Sequence, residues 1–342
     1  MTEKFVVRID PGSGLAKTGM GNLVRTFSSL YERHDPVTFD EFSRFNGATK
    51  SDIITVDLGP AGVYQVGLPE AVGFNERVIG INRYKDPVWA KLMVTAALSK
   101  FPALVRADNP TITLGVLTPY ALLKDRRTGG MDVSKTLTSS MRGLFNVPFG
   151  KKIVPIRVST VKVFGEGLTG FAYFAYDKDM QLKPQYQNTN TLYLDIGRGT
   201  INTAFMCGNR PHMDTVRSEQ WGTNLFYRMI ARNLDQSAGA ISPDRVELMI
   251  RSGTMTKQQK VVVADQSAIY INTMLSYARA VESQVDLPID RLIVFGGALY
   301  VVDAITETLT NTYPETLFGD EFTNLRGLGL LLGDGDESEQ DS

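Results

Sequence analysis

Residues 191–205 read TLYLDIGRGTINTAF. A β-favouring run ends in Asp195, Gly197 and Gly199 turn the chain around Arg198, and a second such run begins after Thr200. The same device opens the chain, where residues 6–19 read VVRIDPGSGLAKTG and Gly12 and Gly14 flank Ser13 just after Asp10. Asp10-Pro-Gly-Ser-Gly and Asp195-Ile-Gly-Arg-Gly are two copies of Asp-x-Gly-x-Gly, one in each half, which points to a duplicated pair of α/β domains.

The first copy is neither of two better-known phosphate loops. A P-loop needs Gly directly before its Lys, and Ala16 stands before Lys17. A dinucleotide fingerprint would put its third small residue on Lys17, and Gly19, Gly21 and Asn22 favour another turn over a long helix. Strand, turn, strand fits. A glycine-rich hairpin turn can aim several backbone N–H groups into one concavity, an anion site to which Lys17 adds a cation. A plain hairpin with a surface lysine would show the same residues. The duplication favours the first reading: if the halves face each other, the two turns grip one polyphosphate, and Asp10 and Asp195 face a hydrated Mg²⁺.

Composition narrows the rest. The 342 residues suffice for two domains, and a net charge of −1 offers no basic footprint for direct nucleic-acid binding. No run approaches eighteen uninterrupted apolar residues, and MTEKFVVRID lacks the pattern of a signal peptide, so a soluble, cytoplasmic protein without membrane contact is expected. One Cys and two His cannot build a metal cluster, and neither His34 nor His212 has a Ser or Cys at hydrolytic spacing. Cys207, at a strand end in AFMCGN, reads as a small core filler.

Three further stretches complete an ordered set: VKVFGEGLTGFAYF around Glu166, RLIVFGGALYVVDAI around Gly296 and Gly297, and FTNLRGLGLLLG with Asn324 and Gly327. With IDPGSGLAK and LDIGRGT, the set resembles the actin-like ATPases, and within them most closely the ParM/StbA plasmid-segregation branch. The resemblance runs to about residue 333. It implies a two-domain actin-like fold, duplicated ribonuclease H-like domains around a nucleotide cleft. It also implies ATP or GTP with Mg, hydrolysis coupled to polymerisation, a filament of the protein itself, and an adaptor bound to a DNA centromere. Glu166 takes the role of the glutamate that positions the attacking water. The first phosphate motif falls on Asp10, Gly12, Ser13, Gly14 and Lys17, and the second on Asp195, Gly197, Arg198, Gly199 and Thr200. Gly222 and Thr223, and the adenosine motif Gly296, Gly297 and Ala298 before a helix containing Asp303, complete the nucleotide set. Asp10 and Asp195 would hold Mg through water. Two positions depart from the pattern: Asn202 stands where many relatives have Asp, and Phe295 where they often have a third Gly.

Read from the residues alone, Glu166 between Gly165 and Gly167 is either a carboxylate for orienting water or an acidic residue placed at a helix N-terminus for its dipole. Gly296 and Gly297 make either a tight turn or a close backbone approach to nucleobase and ribose. Gly222, Thr223 and Asn224 start an amphipathic helix with Leu225, Met229, Ile230 and Leu234 inward; Gly222 either lies against the nucleotide or serves an ordinary helix cap. Residues 86–101 read as a core helix with Asp86 as cap and Pro87 at its first position. Further helices are expected near 132–145, 222–235, 242–252, 265–285, after the glycine pair, and at about 321–332. The expected domains are 1–165 plus 320–333, with an insertion at about 37–84, and 166–319; residues 334–342 form an acidic disordered tail. The loop Lys124 to Arg127 with Gly129 and Gly130 is a solvated loop or a filament contact. A small-metabolite kinase would need an acceptor-activating aspartate for which no signature stands out, a chaperone a further β-domain. A filament with another cargo, such as an organelle, phage DNA or cell shape, would share every motif.

Overall fold

A computed structural model describes residues 3–12, 14–33, 53–67, 84, 86–124, 133–234, 241–302 and 304–334. Ser13, His34, Asp303, the loop 125–130, most of the 37–84 insertion and the tail beyond 334 lie outside the described residues. The chain divides into two compact units.

Unit 1 comprises Met1–Thr118, Leu122–Gly165 and Leu328–Ser342. Its strands are β1 (Lys4–Asp10), β2 (Leu15–Met20), β3 (Leu23–Ser28), β4 (Tyr31–Arg33), β5 (Ile54–Asp57), β6 (Val63–Val66), β7 (Thr111–Pro119), β8 (Gly143–Phe149) and β9 (Lys152–Glu166). Its helices are α1 (Pro87–Ser99), α2 (Ala103–Arg106), α3 (Tyr120–Lys124), which straddles the boundary, and α4 (Val133–Met141). The main sheet runs β3-β2-β1-β7-β9-β8, and β5 and β6 of the insertion join β4, which precedes it, in a separate sheet β4-β6-β5. The Asp86 carboxylate caps α1 by accepting from the Val88 N–H at 2.8 Å. The helix is buried on nearly every side, with Trp89, Leu92, Met93 and Leu98 in one core with Val7 and Ile9 of β1. The helix expected to reach 145 ends at Met141, because Gly143 adopts φ +135° and starts β8.

Unit 2 comprises Pro119–Ala121 and Glu166–Gly327. Its strands are β10 (Asn190–Ile196), β11 (Ile201–Cys207), β12 (Arg210–Pro211), β13 (Arg217–Glu219), β14 (Arg291–Phe295) and β15 (Thr316–Phe318), ordered β12-β11-β10-β14-β15 with β13 also on β11. Its helices are α5 (Leu168–Ala175), α6 (Thr223–Leu234), α7 (Pro243–Ser252), α8 (Lys257–Val285) and α9 (Ile305–Thr312). The last helix, α10 (Thr323–Leu332), begins here and passes into unit 1 at Leu328, later than the expected return at 320. Strand alternation sorts the core: Leu192, Leu194 and Ile196 of β10 pack with α6 and α8, whereas Tyr193 points to the opposite face with Phe171 and Phe295. Asp195 shares the Tyr193 face.

Both units repeat one wiring. The strand carrying the Asp near its end is central, antiparallel to its successor across the glycine turn and parallel to a later strand: β1 with β2 and β7, β10 with β11 and β14. Among the described residues no helix is long and apolar enough to cross a membrane.

Four local expectations are corrected. Helix α8 starts at Lys257 rather than 265, held by a reciprocal cap between Thr256 and Gln259. After Gly296 the chain makes a short 3₁₀ turn, Gly297–Tyr300, before α9, rather than one helix. The buried face of α6 is Phe226, Tyr227, Ile230, Ala231 and Leu234, leaving Leu225 and Met229 half-buried. Cys207 is exposed, because β11 runs beyond the core at its last residue.

Candidate functional site

The first turn joins β1 to β2. Asp10 and Lys17 face each other in the ladder, and the Lys17 ammonium lies 3.3 Å from Asp10 Oδ2. The Gly12 N–H donates to the Asp10 carbonyl at 3.0 Å, and a Cβ on Gly12 would stand 2.4 Å from the Leu15 carbonyl oxygen, so only glycine fits. The buried Ser29 braces the turn: its hydroxyl donates to the Gly12 carbonyl at 2.8 Å and its N–H to the Gly14 carbonyl at 3.0 Å. Ser29 carries no motif, and nothing in its neighbourhood of the sequence marked it.

The second turn closes through the Gly197 N–H, which donates to the Thr200 carbonyl at 2.9 Å. It also caps α6, since the Gly197 carbonyl accepts from the Thr223 N–H at 3.0 Å and the Arg198 carbonyl from the Asn224 N–H at 2.8 Å. A Cβ on Gly222 would lie 2.5 Å from the Arg198 oxygen and 2.6 Å from that of Gly197. Gly222 therefore lets the helix start dock on the turn's own peptide groups, the cap reading. The Arg198 guanidinium is turned to α7, 2.6 Å from Asp244 and 3.2 Å from Glu247, so what it brings to the turn is backbone. Gly199 and Thr200 are half-buried at the turn's tip.

Next to this turn lies a buried network. Asn202 is paired with Asp195 in the β10–β11 ladder, and Glu166 is the last residue of β9. The Asn202 amide donates to Glu166 Oε2 at 3.0 Å and to Asp195 Oδ2 at 3.1 Å. Asn324, on the first turn of α10, donates to the same Asp195 oxygen at 2.9 Å. Its own oxygen accepts from the Gly167 and Gly170 N–H groups at 2.9 and 3.0 Å and from the Thr169 hydroxyl at 3.0 Å. Gly167 occupies the cap position of α5 and has no side chain, so Asn324 caps that helix from far along the chain. Glu166, Asp195, Asn202 and Asn324 are each at most 8% exposed. The ring of Tyr193 covers Gly167; its buried phenol is pushed well up in pKa by burial and then by the charge of Asp195, and stays protonated.

Gly296 adopts φ +106°, and a Cβ there would lie 2.4 Å from the Ile196 carbonyl oxygen, so its glycine serves the packing of β14 on β10. At Gly297 no described atom lies within 4 Å of the position of a Cβ, and Ala298 is buried in the 3₁₀ turn. Phe295 fills the space beside α5, where a Cβ on Gly170 would meet its ring at 2.2 Å. The amide roles of Asn202 and Asn324 were the part that sequence reasoning missed, although both residues stood in quoted motifs.

No protein-family model matches the chain, and no curated protein matches it by sequence. Solved structures do. The actin-like protein Alp7A superposes with a TM-score of 0.72 at 16% identity, covering 97% of this chain and 96% of that one. The chain has the actin-like fold. The apo pSK41 ParM structure gives a TM-score of 0.68 at 17% identity, covering 96% of each chain. Ta0583, an archaeal actin homologue, gives 0.66 at 15% identity, covering 96% of this chain and 98% of that one. The likeness to ParM-type proteins drawn from the motifs thus holds across nearly the whole chain at the level of fold.

Proposed function

We propose that this protein is a nucleotide-dependent polymerising actin-like protein that binds ATP or GTP with Mg and hydrolyses it in dynamic filaments serving plasmid DNA segregation. The observation that carries the reading is the pairing of Glu166 and Asp195 on one amide. It brings a buried carboxylate at a strand end beside the aspartate of a glycine turn, as orientation of water against a terminal phosphate requires. Among solved structures of the same fold are a Bacillus thuringiensis ParM with ATP and an Alp12 filament, which supports nucleotide and self-association as the trade of the fold.

In this reading the turns after Asp10 and Asp195 are the phosphate-binding elements, with the backbone N–H groups of Gly14, Arg198 and Gly199 and the Thr200 hydroxyl as donors, while the Gly12 and Gly197 N–H groups close the turns themselves. Lys17, held beside Asp10, supplies a cation and balances that carboxylate. Gly297, where no described atom lies near the position of a Cβ, is assigned to the nucleoside side, while Ala298 is buried in the core. Asp10 and Asp195 suit a hydrated Mg²⁺, which keeps most of its waters and needs one or two carboxylates. When bound it neutralises phosphate charge. Glu166 orients the attacking water and accepts its proton, a role worth about 10²–10⁴-fold in rate. An adaptor protein at a DNA centromere would link filament to cargo, in keeping with a net charge of −1 and indirect DNA contact.

The test is right-angle light scattering with parallel phosphate release, with ATP and then GTP, on the wild type and Glu166→Ala. The wild type is expected to polymerise, release phosphate and depolymerise, and Glu166→Ala to polymerise and persist. Phosphate release without polymer at any concentration, or an unchanged rate in Glu166→Ala, refutes the reading.

A further inference from the structure

We propose that Asn202 is a positioning residue whose amide fixes Glu166 against Asp195 by donating to both carboxylates. The inference rests on the reading of Glu166 as the water-orienting carboxylate. The geometry is specific. The Asn202 nitrogen has two hydrogens and two carboxylate oxygens within reach, at 3.0 Å from Glu166 and 3.1 Å from Asp195. The two oxygens therefore lie no more than about 6 Å apart, close enough for mutual repulsion in a buried site. Reversing the amide would aim its oxygen at both carboxylates, so the network itself fixes which atom is nitrogen.

Asn324 completes the arrangement from the other side. Its oxygen takes three donors at the start of α5, the element that directly follows Glu166, and its nitrogen takes Asp195. Glu166 is thus held through its carboxylate by Asn202 and through the following peptide by Asn324. Among the described ionisable groups near it are Asp195 on β10, which shares the Asn202 amide, and the buried Tyr193 phenol against Gly167. An aspartate at 202 would be a third carboxylate where an amide now donates twice.

The experiment compares the wild type, Asn202→Asp and Asn202→Ala, each checked for native thermal unfolding. The pH at which the Glu166 carboxyl protonates is followed by carbon NMR on glutamate-labelled protein without nucleotide, the signal assigned by its loss in Glu166→Gln. Losing a donor to the charged form, and adding a like charge, raises that pH. The expected result is a rise of about one pH unit in Asn202→Asp and a smaller rise in Asn202→Ala. The acid limb of the phosphate-release profile moves in the same direction in both. A Glu166 signal that titrates at the wild-type pH in both variants overturns the proposal, whatever their rates. If the carboxyl moves as expected while Glu166→Gln releases phosphate at the wild-type rate, the clamp stands as geometry, and the catalytic reading of Glu166 falls.

Discussion

Replacing Gly327 by Ala sets two general effects against each other. On helix propensity alone, alanine inside α10 should stabilise by about 1 kcal/mol. The new Cβ, however, would stand 1.8 Å from the Thr169 carbonyl oxygen and 2.6 Å from its carbon, both backbone atoms at the start of α5. Ordinary contact needs more than about 3 Å, so α10 must retreat by more than about 1 Å. That retreat carries Asn324 with it and stretches its bonds to Gly167, Thr169 and Gly170 from 2.9–3.0 Å to beyond hydrogen-bonding range. Three lost bonds at a net 0.5–1.5 kcal/mol each, less the propensity gain, leave a loss of about 0.5–3.5 kcal/mol, centred near 2 kcal/mol. In thermal unfolding followed by circular dichroism the central value lowers Tm by about 4–8 °C. Gly297→Ala, with no described atom near its Cβ, is the control and should leave Tm unchanged. A Gly327→Ala protein that melts at or above the wild-type temperature would refute the close packing of these helices and the cap that depends on it.

Two smaller predictions follow from the corrected elements. Thr256→Ala removes one half of the reciprocal cap of α8 and should cost about 1 kcal/mol in denaturant unfolding, with an unchanged m-value. Cys207, exposed at the end of β11, should react with one equivalent of an aromatic disulfide reagent in the native protein, with no change in the near-ultraviolet circular dichroism; slow reaction only on unfolding would put it back in the core.

What the sequence showed and what it hid separate along the range of the interaction. The Asp-turn-strand units were readable because a turn is decided by residues a few bonds apart, and Asp10 and Lys17 do face each other across the ladder. The strands carrying Asp195 and Asn202 were placed for the same reason. That Asn202 donates to both Glu166 and Asp195 depends on a residue 36 positions away, and that Asn324 caps α5 on residues more than 150 positions away, and no local pattern encodes either. The early start of α8 was different: Thr256 and Gln259 have the spacing of a capping box, but Val261, Val262 and Val263 after them look like strand residues and hid it. The end of α4 was likewise marked by Gly143. Cys207 misled because alternation predicts which face a strand residue takes but not where along the strand the core stops.

The docking of α6 on the second glycine turn has a consequence for the turn itself. A trans peptide directs its C=O and its N–H to opposite sides. With the Gly197 and Arg198 carbonyls bound to the amides of Thr223 and Asn224, the N–H groups of Arg198 and Gly199 in those same two peptide planes point away from the helix, side by side. The helix acts as a mould: by holding the acceptor side of two peptides it presets their donor side, so that in the proposed phosphate-binding role no loop would be left to order.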